Sequence, residues 1–437
     1  MAFVDMRFQM DKESRTGTAE EYLEILGGFD LTDHSRFAEG IPYDLFARLR
    51  REAPVLYHPS GTLPDGEGFW VLTRHADITA ASANPVFSSQ GGGGRAGGGS
   101  HLEDLPFGGG LTGTVLAMMD NPRHDVFKHL LSPVLATATA TLEPELGALA
   151  ATLADELVGR GTGNLVDDFS EPFSLRSVAL LLGVPRDDWQ RLTEWVHSVL
   201  GFTHRGTGTV DDASRATYAN LRNYFTSLLE AKRRNPADDL GTLLALGELP
   251  PGTGQGPLGE MEREANASVL LVSGFEQPRN TIAGGLLAFA RNPDQWQELR
   301  KDRSLLPTAV EEVLRWTPAN PYNRRTLTQD VELHGRRMRA GEKVTLWWPA
   351  ANRDESVFPD ASRFDIRRDP NPHLSFGHGV HYCLGDAFGR LEIRLALEAL
   401  LDRVEEIRLT APETWAPNNK HTVLLDVPVE LVPAEGA

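Results

Sequence analysis

The chain has 437 residues, with 43 lysines and arginines against 61 aspartates and glutamates, for a formal charge of −18. That balance argues against a general nucleic-acid binder, which needs a basic face, and no run approaches the ~18 consecutive apolar residues of a membrane span. Hydrophobic residues at 41% and charged ones at 24% exclude global disorder and leave room for two or three domains or one large one.

In chain order, Met1 to Tyr22 lacks the apolar core of a secretory signal. A helix is predicted over 43–53, with Leu45, Phe46 and Leu49 between charges and Pro54 as its stop. A hairpin-like pair follows, Val55 to Tyr57 and Phe69 to Leu72, across turn residues. Residues 91–110 hold ten glycines, too costly in backbone entropy for a regular element, so a mobile loop is expected, either a linker or a lid. From about 139 to 247 the pattern is helical, with Leu142, Leu146, Leu149 and Leu153 at helix spacing. A Pro/Gly loop spans 248–259, and a long apolar helix runs from Ala265 to Ala290, interrupted by Pro278. A further helix is predicted over 307–316, and strands over 331–334, 343–348 and 420–432. The expected fold class is mainly α with a smaller β region, the β-rich portions lying at roughly 55–75, 325–350 and 405–432.

Cys383 is the one cysteine, so no intramolecular disulfide forms and a reducing cytoplasm is the expected location. A lone cysteine is ordinarily an inert packing residue. Its setting here is different: Phe376-Gly377-His378-Gly379-Val380-His381-Tyr382-Cys383-Leu384-Gly385, followed by helix-forming residues to about Arg403. A cysteine just before a helix meets the positive end of the dipole and free N–H groups, both of which favour a thiolate. Gly377 and Gly379 permit a tight turn, and Gly385 leaves room for something flat against the backbone. Those are the proximal requirements of a haem iron.

The segment resembles the haem-binding loop of the cytochrome P-450 family, Phe-Gly-x-Gly-x-His-x-Cys-x-Gly, at every fixed position. Three further segments resemble that family in the same order. Glu312 and Arg315 match its Glu-x-x-Arg pair, although alone they read far more readily as a solvated helix salt bridge; their placement about 70 residues before Cys383 reverses that. Asn352-Arg353-Asp354, Phe358-Pro359-Asp360 and Arg363-Phe364 match the segment before the cysteine loop, and Met119 to His124 matches the start of a propionate-binding helix. The resemblance therefore covers nearly the whole chain, 1–437 as a single catalytic domain. It implies a triangular helical prism, with haem between a long central helix and the cysteine loop.

The resemblance also implies heme b, with Cys383 as metal ligand, Phe376, Gly377 and Gly385 at the cofactor, and His124, Lys128, Arg325 and His381 on its propionates. Lys128 stands where the family usually has arginine. The oxygen-activating segment aligns as Ser273-Gly274-Phe275-Glu276-Gln277-Pro278. The acid is kept as Glu276, but Gln277 replaces the usual threonine. Pro278 has no N–H for the Gly274 carbonyl, so a kink is expected there. Glu276, Gln277 and Gly274 are thus the catalytic candidates, and Ser273, Ala319, Asn320 and Tyr322 are pocket candidates, with Trp195, Phe202 and His204 as further contacts.

The implied activity is hydroxylation of a medium-sized organic, natural-product substrate by activated dioxygen. The missing threonine keeps oxidative coupling open, retention of Glu276 speaks against peroxide-driven turnover, and a non-turnover haem-binding or sensing protein is the reading from another class. The chain carries no flavin or iron–sulfur motif. A ferredoxin-type donor with an NAD(P)H-dependent reductase is therefore implied, docking at Arg123, Lys128, Arg367, Arg368 and Arg390. The protein is expected to be monomeric, with no membrane or nucleic-acid partner.

Overall fold

The computed structural model describes residues 19–63, 65–106, 111–200 and 212–434. Helices dominate. The longest, Arg123–Arg160, runs straight through Pro133 and Pro144, starting sixteen residues before the leucine spacing becomes regular at 139. Packing on its buried face, from Phe127 to Leu157, outweighs the proline penalty. The central helix, Glu260–Arg291, buries almost everything after Glu276. It opens with the Gly259 N–H donating to Glu262 at 2.9 Å. The helix stays α-helical across Pro278.

Small residues let neighbours close on this helix. A Cβ on Gly284 would meet Thr317 Cγ2 at 2.8 Å, and one on Gly285 would meet Val313 Cγ1 at 2.6 Å. These glycines cost helix propensity, about 0.5–1 kcal/mol each, and the close approach of helix Leu306–Trp316 offsets it. Helix Asp386–Leu401, after the cysteine, packs against Arg123–Arg160 and the central helix, and their apolar faces form one core with Phe169, Phe173 and Trp296.

The main sheet has five strands in the order Val55–His58, Phe69–Leu72, Lys343–Trp347, Tyr322–Leu327, Phe87–Ser88. The pair Phe69–Leu72 and Lys343–Trp347 is parallel and the others antiparallel. Both faces of the sheet are covered, by cores built around Trp347 and around Trp70. This gives the apolar run Phe69 to Leu72 instead of an alternating pattern. A smaller sheet joins Val404–Leu409, Pro428–Pro433 and Thr162–Asn164. The predicted strand over 420–432 begins only at Leu424, because Lys420 to Val423 are held as a loop by Asn418, Pro318 and Ala319.

The glycine-rich stretch differs most from expectation. Gly97–Gly98 pairs with Leu105–Pro106 as short antiparallel strands. Arg95 reaches Asp104 at 2.8 Å, Glu67 at 2.5 Å and the Gly341 carbonyl at 3.0 Å. Gly93, at φ +63°, lies where a Cβ would strike Leu327 O and Gly341 N. Here glycine serves close backbone approach, and residues 107–110 fall outside the described residues. No helix among the described residues is long and apolar enough to cross a membrane.

Candidate active site

Construction begins in helix Leu306–Trp316. Glu312 and Arg315 are both 0% exposed, with Arg315 Nη2 2.7 Å from Glu312 Oε1. Arg315 also donates to the carbonyls of Asn352, Ala361 and Arg363, each at 2.9 Å. Glu312 accepts from the Asp365 N–H at 2.7 Å, Asn371 at 3.0 Å and Arg368 at 3.2 Å. A solvated surface pair is thereby excluded. Asn352 passes the fixation on: its side chain receives the Leu374 N–H at 2.7 Å and donates to Ser375 Oγ at 2.8 Å. Ser375 in turn donates to the Leu314 carbonyl at 2.6 Å. The residues entering the cysteine loop are thus tied to the buried ion pair.

The loop itself closes when the Cys383 N–H donates to the Phe376 carbonyl at 2.8 Å. Gly377 and Gly379 sit at φ +73° and +70°, and a Cβ on Gly379 would meet Ser82 O at 2.5 Å. Next to Gly385 nothing lies within 4 Å of a built Cβ, so its open side matches the expected flat neighbour. Phe376 is capped by the Arg390 guanidinium, 4.6 Å from its ring centre. Burial pushes the Cys383 thiol up to about 11, against the Gly385 N–H and the charges of Lys128 and Arg390. The thiolate bias expected from the helix start is therefore outweighed in the protein alone, and a coordinated metal reverses the order by deprotonating the thiol outright.

Beside the loop, cations gather. Arg325, on strand Tyr322–Leu327, is 5% exposed, and its guanidinium donates to the Arg324 carbonyl at 2.9 Å. Burial pushes it down to about 10, Asp120 opposing. Asp120 is itself taken up by Ser88 and the Ser89 N–H. The rings of His124 and His381 lie 4.4 Å apart. His381 is depressed to about 2 by burial and by the charges of Arg325, His124 and Lys128. Among the described residues no carboxylate pairs with Arg325 or His381. A buried guanidinium without a paired carboxylate is costly, and the imidazoles beside it are neutral donors, so this donor set fits a cofactor that brings carboxylates of its own. Together with the thiol and the open side of Gly385, the residues present fit haem.

Lys128 departs from its expected place, donating to the carbonyls of Val380 at 3.0 Å and Tyr382 at 2.7 Å, which straps the cysteine loop to helix Arg123–Arg160. The neighbouring strand residue Arg324 points to the opposite face, 2.8 Å from Asp104 and 2.8 Å from Thr326 Oγ1.

On the central helix, Glu276 is buried and Gln277 donates to its Oε2 at 3.3 Å. Gly274 faces the helix Glu171–Leu181, where a Cβ would meet Val178 Cγ2 at 2.6 Å, so its lack of a side chain serves packing. Ser273 is exposed and Ala319 buried. Asn320 donates to Asn323 and accepts from Lys420 at 3.3 Å. The Tyr322 ring packs 4.9 Å from Trp347 in the core, under Lys420. Trp195 lines an outer cleft with Asp188, Arg191 and Tyr224. Phe202 and His204 lie outside the described residues.

The presumed docking cations are all engaged. Arg123 binds Glu262 at 2.5 Å, Arg367 Glu298 at 2.5 Å and Arg368 Glu312 at 3.2 Å, while Arg390 joins Glu311 and Asp386, each at 2.7 Å. Charge reversal at Arg390 would break the loop's support, so it does not isolate docking. Glu311 illustrates the cost: burial raises its carboxyl, but hydrogen bonds from His373 and Arg390 outweigh that and hold it at about 2. A folded-state value below the ordinary ~4.3 contributes stability above that ordinary value, lost as pH falls towards about 2. Glu311→Gln is therefore expected to melt below wild type at neutral pH, with the gap closing between about pH 4 and 2. Equal gaps at both ends of a thermal-melt series would contradict this.

Sequence reasoning missed Lys420 and His421. Lys420 is buried, donates to the Tyr322 carbonyl at 2.6 Å, and is pushed down to about 7 by burial and by Arg325, Glu276 opposing. His421 Nδ1 lies 2.6 Å from Glu276 Oε1. Two titratable residues heading an apolar, strand-like tail were the available signal.

The family model described as cytochrome P450 matches residues 227–430. A Mycobacterium tuberculosis protein called cytochrome P450 126 is 42% identical over 416 residues, covering 93% of this chain and 98% of that one. The linalool 8-monooxygenase of Pseudomonas putida is 33% identical, covering 92% and 99%. Among solved structures, P450BioI in complex with acyl carrier protein ligated to hexadec-9Z-enoic acid has a TM-score of 0.79 at 28% identity, covering 91% and 100%.

Proposed function

From the premise that the chain belongs to the cytochrome P450 monooxygenase family, we propose that it hydroxylates an unactivated C–H bond of a medium-sized, largely apolar natural product. The observation that carries this is the cysteine loop closed on Phe376 and strapped by Lys128, beside the paired rings of His124 and His381 and a buried Arg325 with no carboxylate partner among the described residues. The family's cofactor is a haem with a thiolate-bound iron, here assigned as heme b. When bound, it supplies activation of dioxygen with two electrons and two protons, one oxygen atom entering the C–H bond and the other leaving as water.

In this reading Cys383 ligates the iron and Phe376, Gly377 and Gly385 frame the cofactor's proximal side. His124, Arg325 and His381 hold its carboxylates. Lys128 holds the loop and would add positive charge beside the same carboxylates. Glu276 offers its carboxylate as a proton carrier, and the Gln277 amide orients a water. Electrons come from a ferredoxin-type iron–sulfur protein with its NAD(P)H-dependent reductase, and the enzyme works as a cytoplasmic monomer. Tyr322 packs in the core and Trp195 lines an outer cleft, so aromatic contacts are a weak guide to the substrate class. The acyclic compounds named for the relatives, linalool and hexadec-9-enoic acid, are the better guide.

The test is a visible-absorption titration of the haem-loaded protein with linalool, hexadec-9-enoic acid and multi-ring aromatics, followed by reduction under carbon monoxide. A thiolate-type band that shifts with an acyclic compound is expected. Absence of the band after haem supply overturns the reading. The Gln277 amide in place of a hydroxyl favours a second outcome, oxidative coupling without oxygen insertion. Products formed under isotopically labelled dioxygen separate the two, since only hydroxylation incorporates the label.

A further inference from the structure

Glu276 faces away from the helix interior towards a residue with access to water. It is 1% exposed, His421 is 22% exposed, and their Oε1 and Nδ1 are 2.6 Å apart, a close ion-pair contact in which both atoms are buried and neither makes an aligned hydrogen bond. The loop that carries His421 is fixed from several sides. Its backbone N–H donates to Asn418 Oδ1 at 3.1 Å, the Thr422 N–H donates to the Ala319 carbonyl at 2.9 Å, and the Leu424 N–H donates to Asn280 on the central helix at 3.2 Å. Asn280 in turn donates to the Glu276 carbonyl at 2.9 Å. The imidazole is thus held in register with the acid.

On its other side His421 lines a small cleft with Phe37, Gly40, Ile41, Trp415 and Asn418, wide enough for about one water molecule. His34, whose Nδ1 accepts the Asn419 N–H at 3.4 Å, lies close enough to His421 for their charges to interact. The titratable groups around the imidazole are then Glu276 on the central helix, His34 on the turn His34–Phe37, the adjacent Lys420, and Arg325 beyond it.

We propose that His421 relays protons from the cleft to the Glu276 carboxylate, replacing the alcohol that Gln277 lacks as the route by which protons reach the oxidation site. In each pass Nε2 takes a proton from cleft water, which solvent reprotonates, and the N–H bond at Nδ1 breaks as an O–H bond forms at Glu276 Oε1; the imidazole, left protonated at Nε2, regains its Nδ1–H tautomer by proton exchange with solvent before the next pass. One proton is transferred and no electron moves. The inference rests on the monooxygenase reading, which fixes the demand for two protons per turnover. His421 acts through Glu276 and is a positioning and relay residue.

Two measurements test it. In the first, the haem-loaded protein is modified with diethyl pyrocarbonate and histidine labelling is read by mass spectrometry against exposed His129. Glu276→Leu should speed labelling of His421 several-fold over wild type, because no polar group then faces Nδ1. In the second, oxygen consumption driven by NADH through a surrogate [2Fe–2S] ferredoxin and reductase is followed between about pH 5 and 8. His421→Gln should lower the rate about 100-fold, at the lower end for loss of a positioned acid–base group, and flatten its pH profile. The thiolate-type band under carbon monoxide should be unchanged. An unmoved labelling rate or an unmoved pH profile overturns the relay and leaves the family assignment standing. Wild-type protein that shows the band but consumes no oxygen overturns the oxidase reading, and the relay with it.

Discussion

Replacing Cys383 with serine is expected to abolish the thiolate-type band under carbon monoxide and to remove substrate oxidation, while leaving a folded protein. The fold survives because the loop is closed by the Cys383 backbone N–H on the Phe376 carbonyl, which serine retains. It is also held by Asn352 and Lys128, neither of which touches the sulfur. The chemistry does not survive, because a hydroxyl cannot supply the electron density that a thiolate pushes towards oxygen–oxygen cleavage. The loss should exceed the ~10–100-fold that removal of an outer-shell partner brings. Circular dichroism, haem stoichiometry and the carbon monoxide spectrum check each part, and a wild-type spectrum from Cys383→Ser would contradict the ligand assignment.

Arg315→Ala should fail in the opposite way, by losing the fold around the loop. Removing the guanidinium leaves Glu312 fully buried without its principal counter-charge and strips donors from the carbonyls of Asn352, Ala361 and Arg363. Breaking such a buried pair costs about 3–5 kcal/mol, a large share of the ~5–15 kcal/mol by which a native protein is stable. Because Asn352 also holds the Leu374 N–H and Ser375, the loss should appear first as poor haem retention. Arg315→Lys keeps the charge but not the fork, and should fall between the two. Denaturant unfolding with haem quantification checks this, and an Arg315→Ala protein of wild-type stability and haem content would refute it.

The cysteine segment was legible because its chemistry is local: glycines, histidine and cysteine at fixed spacing within ten residues. The helices were legible where apolar spacing is regular, and less so in Arg123–Arg160, where Pro133 and Pro144 hide a continuous element. What the sequence could not disclose is which partner a side chain finds across the fold. Lys128 lies 252 residues before Val380, whose carbonyl it holds, and Tyr322 has the same composition signal in a pocket as against Trp347. The glycine-rich stretch read as mobile because its backbone cost is visible, whereas the clamp from Arg95 to Glu67, Asp104 and Gly341 is distributed over distant segments. His421 was hidden for the same reason, since its significance lies in the distance to Glu276.

The two arginines on strand Tyr322–Leu327 are neighbours with separate tasks. Arg324 serves Asp104 on one face, and Arg325 faces the histidine cluster on the other. A strand alternates its sides residue by residue, and this one is locked by pairing Val344 with Arg325. Counting therefore matters here more than chemistry. One residue inserted between 322 and 324 preserves both arginines yet exchanges their addresses, turning the partner of Asp104 towards the histidine cluster and the other guanidinium towards the wall. Length variation among natural relatives of this chain should accordingly fall in the turns on either side of the strand and spare the strand itself.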